Sequence, residues 1–97
     1  MNFGIINLSA VPGRADSSDK SEMVTQLLFG DIFTITNRTE NFVKIKTYYD
    51  NYECWICKKQ YISIKEEEYN YIAKTYIFYI RIIHLKTSRN YILYNDR

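Results

Sequence analysis

Residues 21–31 have the sequence SEMVTQLLFGD, and residues 48–56 have the sequence YYDNYECWI. The first stretch predicts a strand from Val24 to Leu28 that is stopped by the glycine and aspartate of a tight turn. The second predicts a polar turn followed by a further strand. Together they predict two landmarks of a small, strongly bent β-sheet. Neither contains a histidine, and the first has no residue expected to act as a nucleophile near neutral pH, which favours binding over chemistry.

The composition is that of one small folded domain. The 97 residues are 46% hydrophobic and 25% charged, with ten tyrosines, which argues against disorder. A net charge of +2 is too small to predict a nucleic-acid-binding surface or a polybasic membrane anchor. The longest apolar run, Tyr76 to Leu85, is too short for a spanning helix. Because no secretory signal is visible, we expect a cytoplasmic protein with reduced cysteines.

Two compositional regions meet near Lys65. Residues 1–64 hold all three glycines, the only proline and the only tryptophan, among short apolar runs typical of an all-β module. We predict a long polar loop over residues 9–20, a short helical turn over 58–60, and strands over 3–8, 24–28, 32–36, 42–46, 53–56 and 61–64. This order predicts a small SH3-like barrel whose closure removes exposed sheet edges.

Two strands allow predictions about which way their side chains face. Over residues 42–46 the sequence alternates, so Val43 and Ile45 should point to one face and the two lysines to the other. In the strand over residues 32–36, Ile32 and Phe33 are adjacent. We therefore expect one of this pair to face solvent or a partner.

Residues 65–97 are predicted to be a short, poorly specified C-terminal tail. The acidic residues 66–68 favour a helix start, and Tyr69, Ile72 and Tyr76 follow at helical spacing. Further strands are predicted over 76–85 and 91–94, with no sign of where they pair. The bias towards isoleucine, tyrosine, lysine and asparagine is typical of AT-rich codons. Our hypothesis is a truncated or frame-shifted continuation, which the neighbouring reading frames would test.

Cys54 and Cys57 have the spacing of a redox dithiol or of half a zinc site. On a strand, however, residues three apart point to opposite faces with Cα atoms about 10 Å apart, too far for a disulfide. Zinc would lack two ligands, because His84 is the only histidine. We interpret both cysteines as small, semi-buried residues and His84 as incidental. The acidic run 66–68 is interpreted as a solvated helix start. We therefore predict no catalytic residue, metal site or cofactor.

The best candidate for a recognition surface is aromatic. Rings with polar neighbours are typical of the peptide- and glycan-binding grooves of small barrels. The alternative is that Trp55 and one or two tyrosines fill the barrel or cover its end. Arg14 could pair with a ligand carboxylate or, within its own loop, with Asp16 or Asp19. The predicted ligand-binding residues are Tyr48, Tyr49, Asp50, Tyr52, Trp55 and Arg14.

Several short motifs resemble one known family. They are Asn7-Leu8-Ser9, Val11-Pro12, Arg14-Ala15, the run from Ser21 to Gly30, Tyr52-Glu53 and Trp55-Ile56. In this order they resemble the bacterial SH3-like domain, in particular the copy that opens NlpC-type cysteine peptidases acting on peptidoglycan peptides. The resemblance covers roughly residues 3–64. Cys54 and Cys57 stand where the family more often has a glycine and an acidic residue.

The resemblance implies an N-terminal module that packs beside a papain-like catalytic domain and shapes its substrate cleft. Such enzymes hydrolyse bonds involving D-glutamate and diamino acids with a cysteine that is followed by serine and glycine, together with a downstream histidine. Neither Cys54 nor Cys57 lies in such a motif. We therefore expect a non-catalytic module that binds cell-wall peptide or docks on an NlpC-type catalytic domain. Two alternatives stay open: a fragment of a cysteine hydrolase lacking its catalytic domain, and a module for proline-rich peptides. The oligomeric state is left open.

Overall fold

Seven antiparallel strands form one sheet in the computed structural model of the chain, which describes residues 2–75. The strands are β1 (Asn2–Ile5), β2 (Ala10–Arg14), β3 (Met23–Leu28), β4 (Ile32–Arg38), β5 (Phe42–Thr47), β6 (Glu53–Cys57) and β7 (Ile62–Ile64). A helix, α1, covers the described residues 66–75. The all-β prediction is confirmed, as is the helix start after Lys65. The strands predicted over 76–85 and 91–94, and His84, lie outside the described residues.

The sheet must curl, because its order is β3-β2-β6-β5-β4-β1-β7. In a flat sheet β3 and β4 would lie about 19 Å apart at the usual strand spacing. Only Phe29, Gly30 and Asp31 separate these strands along the chain, and that connection reaches at most about 14 Å. Folding the sheet over itself resolves the conflict. The amide of Ile6 then donates to the Asp31 carbonyl at 2.9 Å, and the Gly30 amide donates to the Ile6 carbonyl at 2.8 Å.

The predicted closure of the barrel is wrong. Among the described residues β3 pairs only with β2 and β7 only with β1, so both remain edges of the sheet. Hydrophobic alternation specifies which face of each strand is buried, but it does not specify whether the first and last strands meet. The result is a strongly curled but open SH3-like sheet.

The long loop predicted over residues 9–20 contains a strand. Pro12 and Gly13 lie inside β2, paired with Gln26 and Thr25 of β3, and the polar connection is confined to residues 15–22. Glycine is required at position 13, because a Cβ there would lie 2.7 Å from the Sγ of Cys54. Pro12 and Gly13, which have the sequence pattern of a turn, therefore lie in the part of β2 that packs closely against the core.

The core lies inside the curl and follows the predicted alternation of β5. Val43 and Ile45 are buried there, whereas Lys44 and Lys46 point outward. The prediction for the adjacent pair in β4 is wrong, since both side chains are buried. The core cluster consists of Ile6, Val11, Leu27, Phe33, Ile35, Val43, Ile45, Cys54 and Ile56, with Tyr61 packed against it. Ile32 lies outside this cluster but is only 4% exposed.

Helix α1 packs across the start of the sheet. It begins after Lys65, whose amide donates to the carboxylate of Glu68 at 2.9 Å, a capping contact that satisfies an unpaired donor of the first turn. Its one buried residue among 66–75 is Ala73. The ring of Tyr69 lies 4.6 Å from that of Phe3 and 5.9 Å from that of Tyr48, measured between centroids. The helix therefore supports the segment that follows β5.

Candidate functional site

A groove of about 260 Å³ opens between the end of β3 and the turn that joins β5 to β6. One wall is formed by residues 25–28 with Gly30 and Asp31, and the other by residues 47–50 with Tyr52; Ile32 also lines it. The groove therefore lies where the curl of the sheet brings the free strand β3 close to the end of β5. It is a consequence of the open sheet.

The β5–β6 turn is fixed by hydrogen bonds to Thr47. The amide of Thr47 donates to the carbonyl of Tyr52 at 2.9 Å, and the amide of Tyr52 donates to the Thr47 hydroxyl at 3.0 Å. That hydroxyl in turn donates to the carboxylate of Asp50. Asn51 takes the left-handed backbone conformation, with φ of 55°, which asparagine tolerates better than most residues. Asp50 thus serves the turn with one carboxylate oxygen.

Two aromatic rings project from this turn. Tyr49 is 67% exposed and Tyr52 is 40% exposed. Tyr48 is half-buried beneath them; its amide donates to the Ile32 carbonyl at 3.0 Å, and its ring meets that of Tyr69 edge to face. Burial, and to a lesser extent Tyr48, raises the pKa of Tyr69. The exposed rings are therefore held on a wall that is anchored to both the sheet and α1.

The opposite wall is ordered by Asp31. Its carboxylate accepts the amide of Leu28 at 2.8 Å, and its own amide donates to the Leu28 carbonyl at 3.0 Å. Between them Gly30 has φ of +92°, a conformation that requires glycine. Phe29 stands at the tip of this turn with 72% of its surface exposed.

The groove is acidic. Among residues 2–75, those that line it include the carboxylates of Asp31 and Asp50 and no lysine, arginine or histidine. Hydroxyl and amide groups of residues 25, 26 and 47 supply neutral donors and acceptors. The electrostatics therefore favour a cationic group over a carboxylate at this site.

The six predicted site residues separate into two groups. Tyr48, Tyr49, Asp50 and Tyr52 line the groove, whereas Trp55 and Arg14 do not. Cys54 and Ile56 are the residues of β6 that enter the core, so Trp55 points to the outer face, where it is half-buried opposite Arg14 of β2 and Lys44 of β5. The alternative that Trp55 fills the barrel is therefore wrong. Whether any of the six contacts a ligand stays a prediction.

Arg14 has a structural contact within its own loop. Its guanidinium donates to the carbonyl of Ser21 at 3.0 Å, so the internal partner is a backbone carbonyl and not the carboxylate of Asp16 or Asp19. The same loop is tied by the amide of Ala15, which donates to the Glu22 carbonyl at 2.9 Å. Arg14 therefore holds the base of the loop over residues 15–22.

Both cysteines are free thiols on one strand, as interpreted from their spacing. Cys54 is buried and Cys57 half-buried. Burial, with a smaller effect of the Asp50 charge, raises the pKa of the Cys54 thiol to about 11, so this sulfur is a poor nucleophile near neutral pH. Within residues 2–75 no cluster of three or more histidine, cysteine or acidic residues could hold a metal ion.

Sequence reasoning missed the β3–β4 wall of the groove. The predicted strand and tight turn contain Leu28 and Asp31, but the predicted site contains neither. The signal in the sequence for an exposed surface at this turn is Phe29, because an apolar residue next to the turn residues Gly30 and Asp31 is rarely buried.

Across the described part of the chain, no helix is long and apolar enough to cross a membrane.

A curled antiparallel sheet, a tied loop after β2 and a groove at the end of the sheet define the class of SH3-like domains. Within that class, residues 13–60 match the family model described as the bacterial dipeptidyl-peptidase SH3 domain. This part of the chain is therefore a bacterial SH3-like domain, as the sequence motifs predicted. No curated protein matches the chain. The matched region includes both walls of the groove, and a domain of this type is an accessory binding module, generally without catalytic activity.

Proposed function

We propose that the groove is the binding site of a non-catalytic module that recognises cell-wall peptide. The observation that carries the proposal is the pair of exposed rings, Tyr49 and Tyr52, on a hydrogen-bonded turn beside two carboxylates. Rigid aromatic side chains supply contact area at a low entropic cost. The family match to an SH3 domain of bacterial dipeptidyl-peptidases supports a peptide as the ligand.

The charge of the groove selects a part of that peptide. Stem peptides of the cell wall contain a diamino acid, and its amino group complements the carboxylates of Asp31 and Asp50. Of these, Asp50 already accepts the Thr47 hydroxyl, and Asp31 accepts an amide of its own turn. Each carboxylate keeps further acceptor capacity for a cation. The volume of about 260 Å³ accommodates a short segment and not a folded partner.

The test is a titration of the full chain with purified muropeptides, followed by amide chemical shifts. We expect the amides of residues 47–52 and 25–31 to shift. Tyr49→Ala and Tyr52→Ala should each weaken binding by about tenfold, the loss of roughly 1.4 kcal/mol expected for an aromatic anchor. Trp55→Phe is the matched control, because its ring lies on the outer face. No shift at millimolar muropeptide would exclude direct binding.

A second candidate function is docking on an NlpC-type peptidase domain. It is favoured by two adjacent exposed apolar side chains at the β3–β4 turn, Phe29 at 72% and Leu28 at 54% exposed. Contiguous exposed apolar residues, unlike single ones, are typical of interaction sites. Calorimetric titration with a purified catalytic domain tests it. Phe29→Ser should weaken docking, whereas Tyr71→Ser on α1, with Tyr71 73% exposed, should not. Equal affinity of both variants and the native chain would argue against docking through this turn.

A further inference from the structure

The edge of strand β3 borders one wall of the groove. The four lining residues of β3, from Thr25 to Leu28, are consecutive, and consecutive side chains of a strand point to opposite faces. Leu27 is only 1% exposed and belongs to the core cluster. Such a strand contributes all four residues to one groove only if its edge, and not one of its faces, borders the groove.

The hydrogen bonds of Leu28 show which main-chain groups of that edge point outward. Its amide donates to the Asp31 carboxylate and its carbonyl accepts the Asp31 amide, so neither group is directed at Ala10, its register partner in β2. In an antiparallel ladder, residues alternate between pairs that are hydrogen-bonded and pairs that are not. Leu28 and Ala10 therefore form a pair that is not hydrogen-bonded.

Gln26 lies two residues before Leu28, so it also belongs to a pair without hydrogen bonds, and its register partner is Pro12. Proline has no amide hydrogen to donate, which agrees with a pair that exchanges no hydrogen bonds. The amide and carbonyl of Gln26 therefore point away from β2. Among residues 2–75 no other strand pairs with β3, and the side at which these groups emerge is the wall of the groove.

We propose that the groove takes its ligand in an extended conformation, as a short strand added to β3, with the main-chain amide and carbonyl of Gln26 hydrogen-bonded to one peptide unit. The inference rests on the proposed peptide-binding function and specifies its mode. The ligand class is a peptide with at least one unsubstituted secondary amide next to a group that the tyrosine wall can contact. Main-chain pairing supplies affinity without selecting side chains.

The composition of β3 supports this use of its edge. Its six residues, Met23–Leu28, carry no charge, whereas natural sheets protect exposed edges with charged residues, prolines or bulges. The one irregularity of the β2–β3 ladder falls between the pairs Gly13–Thr25 and Arg14–Met23. It therefore adjoins the lining stretch at Thr25 and leaves the register regular over residues 25–28. The stretch beside the tyrosines thus stays flat enough to pair, and Tyr49 and Tyr52 face it from the other wall.

The decisive measurement uses the native chain and a muropeptide carrying a diamino acid. The amide hydrogen of Gln26 should exchange fast in the free chain. Its exchange rate should fall at least about tenfold when the chain is saturated with muropeptide, as expected when an exposed amide gains a hydrogen-bond partner. If the groove amides shift while exchange at Gln26 is unchanged, this inference is wrong and the proposed function stands. If no groove amide shifts, the proposed function itself fails.

A pair of variants provides the second arm. Gln26→Pro removes the outward amide at an edge position where proline is tolerated, and Gln26→Ala keeps it while removing the side chain. Because the side-chain amide of Gln26 also lines the groove, Gln26→Ala measures the contribution of the side chain alone. We expect Gln26→Pro to bind muropeptide about tenfold more weakly than Gln26→Ala does, the loss of roughly one net hydrogen bond. Equal binding by both would overturn the proposal. If Gln26→Pro does not fold, the exchange measurement on the native chain decides.

A second copy of the chain is the competing occupant of the same edge. Sedimentation velocity at the concentrations of the titration separates the two cases. A monomer whose Gln26 amide becomes protected only with muropeptide supports the proposal. A dimer whose Gln26 amide is already protected without ligand would overturn it and assign the edge to self-association.

Discussion

At the scale of single residues, Gly13 and Cys54 are complementary. A Cβ at position 13 would lie 2.7 Å from the Cys54 sulfur and 2.7 Å from the Thr25 methyl group, distances that require something to move. We expect Gly13→Ala to lower the free energy of unfolding by about 1–3 kcal/mol through overpacking, measured by urea denaturation.

The pairing of these two residues is tested by a double-mutant cycle. In a Cys54→Ala background the sulfur is gone, so Gly13→Ala should cost measurably less than in the native chain. The close contact with the Thr25 methyl group remains, so the cost of Gly13→Ala should fall only in part. Strict additivity of the two changes would show that the sulfur does not limit the space at position 13.

The buried thiol of Cys54 gives a pH-dependent signal. Its pKa is raised from 9.0 to about 11, so the folded chain holds this proton more tightly than the unfolded chain. The contribution to stability is present below about pH 9 and is lost as the pH rises towards 11. We expect the native chain to lose more stability over this window than Cys54→Ala, measured by urea midpoints at each pH.

Alkylation checks the same burial without unfolding. At pH 8 iodoacetamide should modify Cys57, which is half-buried, and leave Cys54 unmodified in the native state. The variant Cys54→Ala should take up the same amount of label as the native chain. Rapid labelling of both sulfurs under native conditions would contradict the buried position.

At the scale of elements, α1 stabilises the groove from behind. Tyr69 contacts Phe3 of β1 and the ring of Tyr48, which lines the groove. We expect Tyr69→Ala to destabilise the fold by about 1–3 kcal/mol, since a half-buried ring with two aromatic partners is removed. Thermal unfolding measures the change, and the amides of residues 47–50 should shift as well.

The same helix supplies the control for that prediction. Tyr71 is 73% exposed, so Tyr71→Ala should change stability by less than about 0.5 kcal/mol. Because alanine has a higher helix propensity than tyrosine, a similar loss for both variants would mean that the contact of Tyr69 with Phe3 and Tyr48 does not determine the effect.

Elements with one buried face were predictable from the sequence, and β2 was not. The alternation of β5 identifies Val43 and Ile45 as core residues because its outward positions are lysines. In β2 the residues Pro12 and Gly13 have the local preferences of a turn. Their place in a strand depends on two tertiary facts: the pair of Pro12 with Gln26 needs no amide hydrogen, and Gly13 makes room for the Cys54 sulfur.

The candidate site was predicted in part for a similar reason. Tyr48, Tyr49, Asp50 and Tyr52 are close in sequence and line one groove, so their proximity follows from local sequence, whereas their contact with a ligand stays a prediction. Trp55 follows them closely, but strand alternation sends it to the outer face because Cys54 and Ile56 are the residues that enter the core. The β3 wall joins the site only through the curl of the sheet, which depends on strand order and not on local pattern.

At the scale of the whole molecule, the curl depends on the short β3–β4 connection. Gly30 and Asp31 form main-chain hydrogen bonds with Ile6, the residue that follows β1, and the same turn contributes to one wall of the groove. The backbone of Gly30 has φ of +92°, and a Cβ there would have no heavy atom within 4 Å. A substitution at this position therefore changes backbone preference without adding a clash.

Gly30→Ala should for this reason destabilise the whole fold by about 1–2 kcal/mol, the cost of the left-handed region for a residue with a Cβ. Gly30→Asn should cost less, because asparagine visits positive φ more readily. Thermal unfolding of the two variants measures the order. Since the turn joins the sheet to the groove, muropeptide affinity should fall in the same order even well below the melting temperature. An alanine variant with native stability and native affinity would show that neither the curl nor the groove depends on this turn.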